Sequence, residues 1–353
     1  MCLCSYLCSM RHTLPNVEQF VQGIRACDRV LLGQAITLVE SAREDHQTLA
    51  REIIAQLLSS LPAESPIFDS ENLTSRTSRS LRIAVTGAPG VGKSTFIEAL
   101  GMHLVEQGKR PAVLAIDPSS SVSRGSILGD KTRMERLSTS EKAFIRPSPS
   151  GDSLGGVARK TREAIVLVEA AGFDTIFVET VGVGQSEIAA QRMTDLFLLL
   201  LLPGAGDELQ GIKRGIVEMA DLLVVNKADG DRVRLANQAR VHYLNATHLL
   251  PLKPSGWQPR VMACSALENS GIAELWEVIS AFQSEIMANG FLLENRHQQA
   301  LYWLDDALDT GLKSRFYKLP SIKDKLAEVQ TEVLAGRMSP TDAAMRVLSM
   351  VGW

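Results

Sequence analysis

The chain has 353 residues, 45% of them hydrophobic, and a formal net charge of −3. That length buries one substantial core with room for a second small unit. The balanced charge argues against a nucleic-acid-binding surface or a strong pull toward anionic membranes. The most apolar run, Leu196 to Leu202, is far short of the roughly 20 residues a helical membrane span needs.

Residues 1–27 carry no readable element and are taken as a poorly defined N-terminus. Three of the five cysteines, Cys2, Cys4 and Cys8, crowd its start, with Cys27 and Cys264 elsewhere. The opening stretch has neither the charge nor the apolar length of a signal peptide, so the expectation is a cytoplasmic protein with reduced thiols. Residues 28–80 read as a helical extension and linker. Leu49, Ile53, Leu57, Leu58 and Leu61 recur at helical spacing, and the polar stretch "PAESPIFDSENLTSRTSRS" follows.

From Leu81 to about residue 285 short apolar runs alternate with helical stretches: "LRIAVT", "PAVLAID", "DTIFVE", "DLFLLLLL", "DLLVVN" and "RVMACS". Runs that are apolar without alternation predict strands of a mostly parallel sheet buried between helix layers, an α/β fold. Residues 286–353 return to helix. Leu326, Val329 and Val333 share a face, and Ser339 before Pro340 predicts an N-cap and first helical residue. Periodicity leaves open whether these helices cover the sheet or close a dimer.

The first strand runs into "GAPGVGKST", Gly87, Ala88, Pro89, Gly90, Val91, Gly92, Lys93, Ser94 and Thr95. This is the P-loop pattern in its required setting between a strand and a helix. The glycines let the backbone turn its N–H groups onto phosphate oxygens, and the new helix adds its positive end. Lys93 is placed to reach the β- and γ-phosphates and Ser94 to ligate magnesium.

"LLVVNKADG" sets Asn226, Lys227 and Asp229 just beyond a later strand. A carboxylate at Asp229 can accept from the ring N–H and exocyclic amine of guanine, donors that adenine lacks at those positions, and an unpaired acceptor is costly. Lys227 would lay its stem against the base. N-K-x-D alone arises by chance in about one chain in twenty of this length, so order decides. "CSALENSG" follows one strand later, with Ser265, Ala266 and Leu267 offering a backbone N–H to the guanine oxygen. Together these predict a domain binding GTP and GDP.

Magnesium takes near-octahedral oxygen ligands. Besides Ser94, the carboxylate candidates are Asp117 ending "AVLAID", Asp130 in "GSILGDK", and Glu179 opening "ETVGVGQSE". The competing readings are a turn cap for Asp117 and a solvated loop charge for Asp130. Gly182 can meet the γ-phosphate through its N–H. Val183 stands where many small GTPases carry glutamine, and Gln185 is displaced, so slow intrinsic hydrolysis is expected.

"DPSSS" with "GSILGDKTRM", then "ETVGVGQSE", then "PGAGDELQGIKRG" together resemble the MeaB/ArgK family of G proteins, chaperones associated with methylmalonyl-CoA mutase. The resemblance runs from about residue 28 to the C-terminus. It implies a P-loop NTPase G domain of the signal-recognition type with helical extensions, a C-terminal dimerisation arm and a homodimer. It also implies a partner, the adenosylcobalamin-dependent methylmalonyl-CoA mutase, whose cofactor loading is gated and which is protected. The magnesium-side residues then carry over to Ser94, Asp117, Asp130 and Glu179, and a lysine of the third switch to Lys213, which the residues alone read as a solvated side chain. Arg124 in "SVSRGS" departs from the glycine expected there.

Two other readings compete. A nickel-type metal-insertion GTPase shares this kind of domain, and the Cys2, Cys4, Cys8 group is the feature in its favour. A transport-protein kinase is an older label attached to the same family, and N-K-x-D argues against it.

Overall fold

A computed structural model describes residues 14–59, 80–116, 134–147, 154–180, 186–204 and 214–351. Three helices come first: α1 (Val17–Arg25), α2 (Arg29–Glu40) and α3 (Glu44–Ser59). The helical extension thus begins at Val17, inside the stretch left without an element in the sequence. A capping box starts it, with Asn16 Oδ1 accepting from Gln19 N at 2.9 Å and Gln19 Oε1 accepting from Asn16 N at 3.0 Å. Nine residues make a marginal helix alone, and burial of Phe20, Val21 and Ile24 against α2 and α3 supplies the rest. Along α3 the buried face is Ala50, Ile53 and Leu57. Leu58 is exposed, because it sits one residue, about 100°, round from Leu57.

Among the described residues there are seven strands, β1 (Leu81–Gly87), β2 (Pro111–Ile116), β3 (Phe144–Arg146), β4 (Thr175–Thr180), β5 (Leu196–Leu201), β6 (Leu222–Val225) and β7 (Arg260–Ala263). They form one sheet in the order β3-β2-β4-β1-β5-β6-β7, with every pairing parallel. Six coincide with the apolar runs of the sequence. β3 is the addition, three residues at the sheet edge, too short to show a pattern.

Between and after the strands lie α4 (Lys93–Glu106), α5 (Glu135–Thr139), α6 (Leu154–Ala170), α7 (Ser186–Gln191), α8 (Arg214–Met219), α9 (Val233–Thr247) and α10 (Ile272–Ala288). Ile83, Val85, Phe177, Leu198 and Leu200 pack in one cluster with Phe96 and Leu100 of α4 and Ile279 and Phe282 of α10. Strand residues of the opposite parity, Ala84, Ile176, Val178 and Leu199, are buried as well. Both faces are therefore covered, which is why these strands read as unbroken apolar runs. Helices α1, α2 and α3 pack on α6.

The chain divides into two compact units, residues 1–296 and 297–353. α11 (Phe291–Lys318) begins in the first and continues into the second, followed by α12 (Pro320–Leu334) and α13 (Pro340–Leu348). Ser339 Oγ accepts from Asp342 N at 3.0 Å, and Pro340 opens α13, as the sequence predicts. The second unit has a small core of Ile322, Val329, Ala343 and Val347. On α11, Leu301, Leu304, Leu308 and Leu312 recur every three or four residues, and each is more than half exposed. Among the described residues no helix is long and apolar enough to cross a membrane.

Candidate functional site

β1 ends in mid-sheet between β4 and β5. The chain leaves it for β2 beyond β4 and later returns to β5 on the other side. Open parallel sheets bind ligands at such a reversal, outside the carboxyl ends of the strands. The loop there, Gly87 to Gly92, is shaped by contact as much as by turn geometry. A Cβ at Gly87 would lie 2.6 Å from the Leu200 carbonyl oxygen, and one at Gly92 would lie 2.8 Å from Asn226 Nδ2. Gly92 also adopts φ 95°, left-handed, and caps α4 with no side-chain hydrogen bond. The first amides of α4 thus face outward as an anion site. Around them Ala88 is half-buried, Val91 buried, and Pro89, Gly90 and Thr95 exposed.

Lys93 Nζ donates to the carbonyls of Gly87 at 2.8 Å and Ala88 at 3.3 Å. Burial lowers the pKa of this ammonium below its ordinary value, and the nearby carboxylates Glu179 and Glu187 oppose the shift. An ammonium resting on carbonyls of its own loop can exchange them for phosphate oxygens, which bind it more strongly as charged acceptors. Ser94 Oγ donates to Glu179 Oε1 at 3.1 Å. The strand register sets Glu179 opposite Val85 of β1 and Ala115 of β2. A hydroxyl and a carboxylate together at the phosphate loop are hard oxygen donors of the kind magnesium takes. Beneath them Thr180 Oγ1 donates to Thr86 Oγ1 at 2.9 Å, tying β4 to β1.

A second loop locks onto the first. Asn226, buried at the end of β6, donates from Nδ2 to the Val91 carbonyl at 2.9 Å and accepts at Oδ1 from Ala266 N at 3.2 Å. Lys227 holds φ 61°, uncommon for a residue with a side chain, and its Nζ donates to the Gly90 carbonyl at 2.7 Å. Asp229 accepts at Oδ2 from Ser265 Oγ at 2.8 Å and at Oδ1 from Arg232 Nη2 at 2.6 Å. Ser265 and Ser270 exchange backbone hydrogen bonds of 2.9 and 3.1 Å, which hold the loop carrying Ala266 and the exposed Leu267.

The glycine-rich loop with Lys93, the Ser94–Glu179 pair and the Asn226–Asp229 loop thus converge at one sheet end. The family described as "Methylmalonyl Co-A mutase-associated GTPase MeaB" matches residues 32–320. The chain belongs to the MeaB family of GTPases. It is 45% identical to the mitochondrial methylmalonic aciduria type A homolog of Mus musculus, over 92% of this chain and 76% of that one. It is 47% identical to GTPase ArgK of Escherichia coli, over 82% of each. A solved structure named as an LAO/AO transport system kinase is similar over 97% of this chain and 100% of its own, with a TM-score of 0.72 and 35% identity.

Within this MeaB-family fold, the residues predicted from sequence for phosphate, base and metal come together wherever they are described. Asp117, Asp130, Gly182 and Lys213 lie outside the described residues, as do Cys2, Cys4, Cys8, Leu61, Arg124, Val183 and Gln185. Of the three residues read as donors to the base, Ser265 already spends its amide on the Ser270 carbonyl and Ala266 on Asn226 Oδ1. Two participants were not singled out in the sequence. Glu187, buried in the first turn of α7, lies close enough to Lys93 to favour its charged form. Its signal was its place eight residues after Glu179, at a helix start. Arg232 follows Asp229 by three residues, a spacing that puts the two within reach across a single turn.

Proposed function

We propose that this GTPase is a nucleotide-dependent switch that gates adenosylcobalamin loading of a methylmalonyl-CoA mutase and protects that enzyme. The observation that carries the reading is the family match over residues 32–320, whose description names association with that mutase. Gly87 to Thr95 hold the phosphates, with Lys93 released from its own carbonyls onto the β- and γ-phosphates. Asn226, Lys227 and Asp229 hold guanine, with Ser265 bracing Asp229, Ala266 bracing Asn226, and Leu267 offering its amide to the guanine oxygen. Ser94 and Glu179, helped by Asp117 and Asp130, hold magnesium, which when bound offsets phosphate charge. Gly182 senses the γ-phosphate through its N–H, and Lys213 supplies charge to the transferred phosphoryl group when the mutase docks. GTP and GDP then favour different loop arrangements, and a partner that prefers one is coupled to nucleotide state.

The chain works in the cytoplasm as a homodimer in this reading. The leucine stripe of α11 supports that part, since four leucines at helical spacing that stand more than half exposed in one chain suit burial against a second copy. The test is GTP turnover by the purified protein, alone and with an adenosylcobalamin-dependent methylmalonyl-CoA mutase, ATP being the control. Slow basal turnover that rises many-fold with mutase, and falls back in Lys213→Ala, is the expected result. No stimulation would remove the mutase as client.

A further inference from the structure

Asp229 stands at the N-cap position of a 3₁₀ turn, Gly230–Arg232, yet makes no side-chain cap hydrogen bond there. Its carboxylate, only 9% exposed, is held elsewhere. Ser265 Oγ donates to Oδ2 at 2.8 Å and Arg232 Nη2 donates to Oδ1 at 2.6 Å. An ionised carboxylate has about four acceptor positions, two on each oxygen. Among the described residues one partner sits on each oxygen, which leaves one position on each. Two remaining acceptors match the two donors on the guanine edge, the ring N–H and the exocyclic amine.

We infer that Arg232 is a specificity-determining positioning residue, which fixes the Asp229 carboxylate plane so that both oxygens meet guanine together. The inference rests on the guanine reading of the site. The terminal torsion of an aspartate is soft and roughly two-fold, so Ser265 alone would pin one oxygen and leave the other to swing. The guanidinium pins the second with a charge-assisted bond. Asn226 needs no such help, since Val91 and Ala266 hold both ends of its amide. The side chain of Arg232 is 51% exposed, so its replacement leaves the core intact.

The readout is a ratio of affinities. Inosine diphosphate keeps the ring N–H of guanine and lacks the exocyclic amine, so the GDP-to-IDP ratio reports the second bond to Asp229. Equilibrium titration of the full-length protein with GDP, IDP and ADP would be done for wild type, Arg232→Ala and Arg232→Lys. In Arg232→Ala the GDP-to-IDP preference should fall about three- to fivefold, the scale of a half-exposed ion pair, with an unchanged thermal midpoint. Arg232→Lys, which keeps the charge, should recover part of it. A wild type that binds ADP as well as GDP would defeat the guanine reading itself. A wild type that prefers GDP to ADP, with the same GDP-to-IDP ratio in all three proteins, would leave the guanine reading standing and overturn the role of Arg232.

Discussion

Asn226 Nδ2 donates to the Val91 carbonyl at 2.9 Å, joining the base loop to the phosphate loop across 135 residues of chain. The bond needs the space that Gly92 leaves, since a Cβ there would stand 2.8 Å from the same Nδ2 atom. Gly92 also sits at φ 95°, where a residue with a side chain is strained.

Gly92→Ala therefore should separate the two loops. The expected result is loss of GDP affinity by tenfold or more, the scale of a strained backbone costing about 1–3 kcal/mol plus a displaced buried amide. Far-UV circular dichroism should be unchanged. Near-wild-type GDP affinity in isothermal titration would mean that the loops are held together by something else, with Lys227 to Gly90 the remaining bond.

The Ser94–Glu179 pair leads to a second expectation. The hydroxyl and carboxylate are 3.1 Å apart, and as hard oxygen donors they would help to hold a magnesium ion. Glu179→Gln keeps the size and a hydrogen-bonding end but loses the charge. It should abolish most of the magnesium-dependent gain in GTP affinity and leave GDP affinity without magnesium nearly intact. Titrations of both nucleotides with magnesium and with chelator measure this. Equal losses for GTP and GDP in both conditions would make Glu179 a structural partner of Ser94 only.

Much of this site is readable in the chain because its residues come in compact strings, each fixed by local backbone needs. "GAPGVGKST" carries its own turn geometry, and "NKADG" sets Asn226, Lys227 and Asp229 together on one loop. The strands show wherever burial on both faces makes an unbroken apolar run, as at Leu196–Leu201, and vanish at Phe144–Arg146, where three edge residues carry no pattern. α1 does not stand out in the sequence although Asn16 and Gln19 spell a capping box, because its nine residues, Val17–Arg25, are held by tertiary packing more than by propensity. What no local string encodes is pairing at long range. Ser265 on Asp229 and Asn226 on the Val91 carbonyl are properties of the closed fold.

The base site also bears on names that disagree among the similar proteins, one a transport system kinase and others GTPases. In the proposed guanine reading, Asp229 is the residue that would separate adenine from guanine chemistry. In Asp229→Asn an amide replaces one acceptor with a donor, which suits the C2 carbonyl of xanthine and faces the guanine amine badly. The preference for GTP over xanthosine triphosphate should vanish or invert, a change of at least tenfold, since an unpaired buried donor costs about 1–3 kcal/mol. Competition between the two nucleotides at equilibrium reads this directly. A preference equal to that of wild type would take Asp229 out of base reading.

At the opposite end of β1, stability should depend on a buried charge pair. Arg296 on α11 donates to Asp195 Oδ1 at 2.9 Å and Oδ2 at 2.7 Å and to the Ser80 carbonyl at 2.8 Å. Asp195 also accepts from Arg82 N at 2.9 Å, and Arg82 is paired to Glu169. Burial pushes the Asp195 carboxyl up, but the Arg296 guanidinium, together with the charge and backbone N–H of Arg82, outweighs it and holds the pKa below the ordinary value. Such a group stabilises the fold above its unfolded pKa of about 3.9, and loses that contribution as pH falls through the lower folded value. Arg296→Met removes the cation and leaves a buried carboxylate, a loss of about 3–5 kcal/mol at neutral pH. In that variant burial dominates, so the Asp195 pKa rises and its protonation at mildly acid pH relieves the cost. The stability gap between wild type and Arg296→Met, from denaturant unfolding, should therefore narrow from pH 7 toward pH 5. A gap that stays constant or widens on acidification would mean that Arg296 acts through packing and its bond to Ser80 rather than through Asp195.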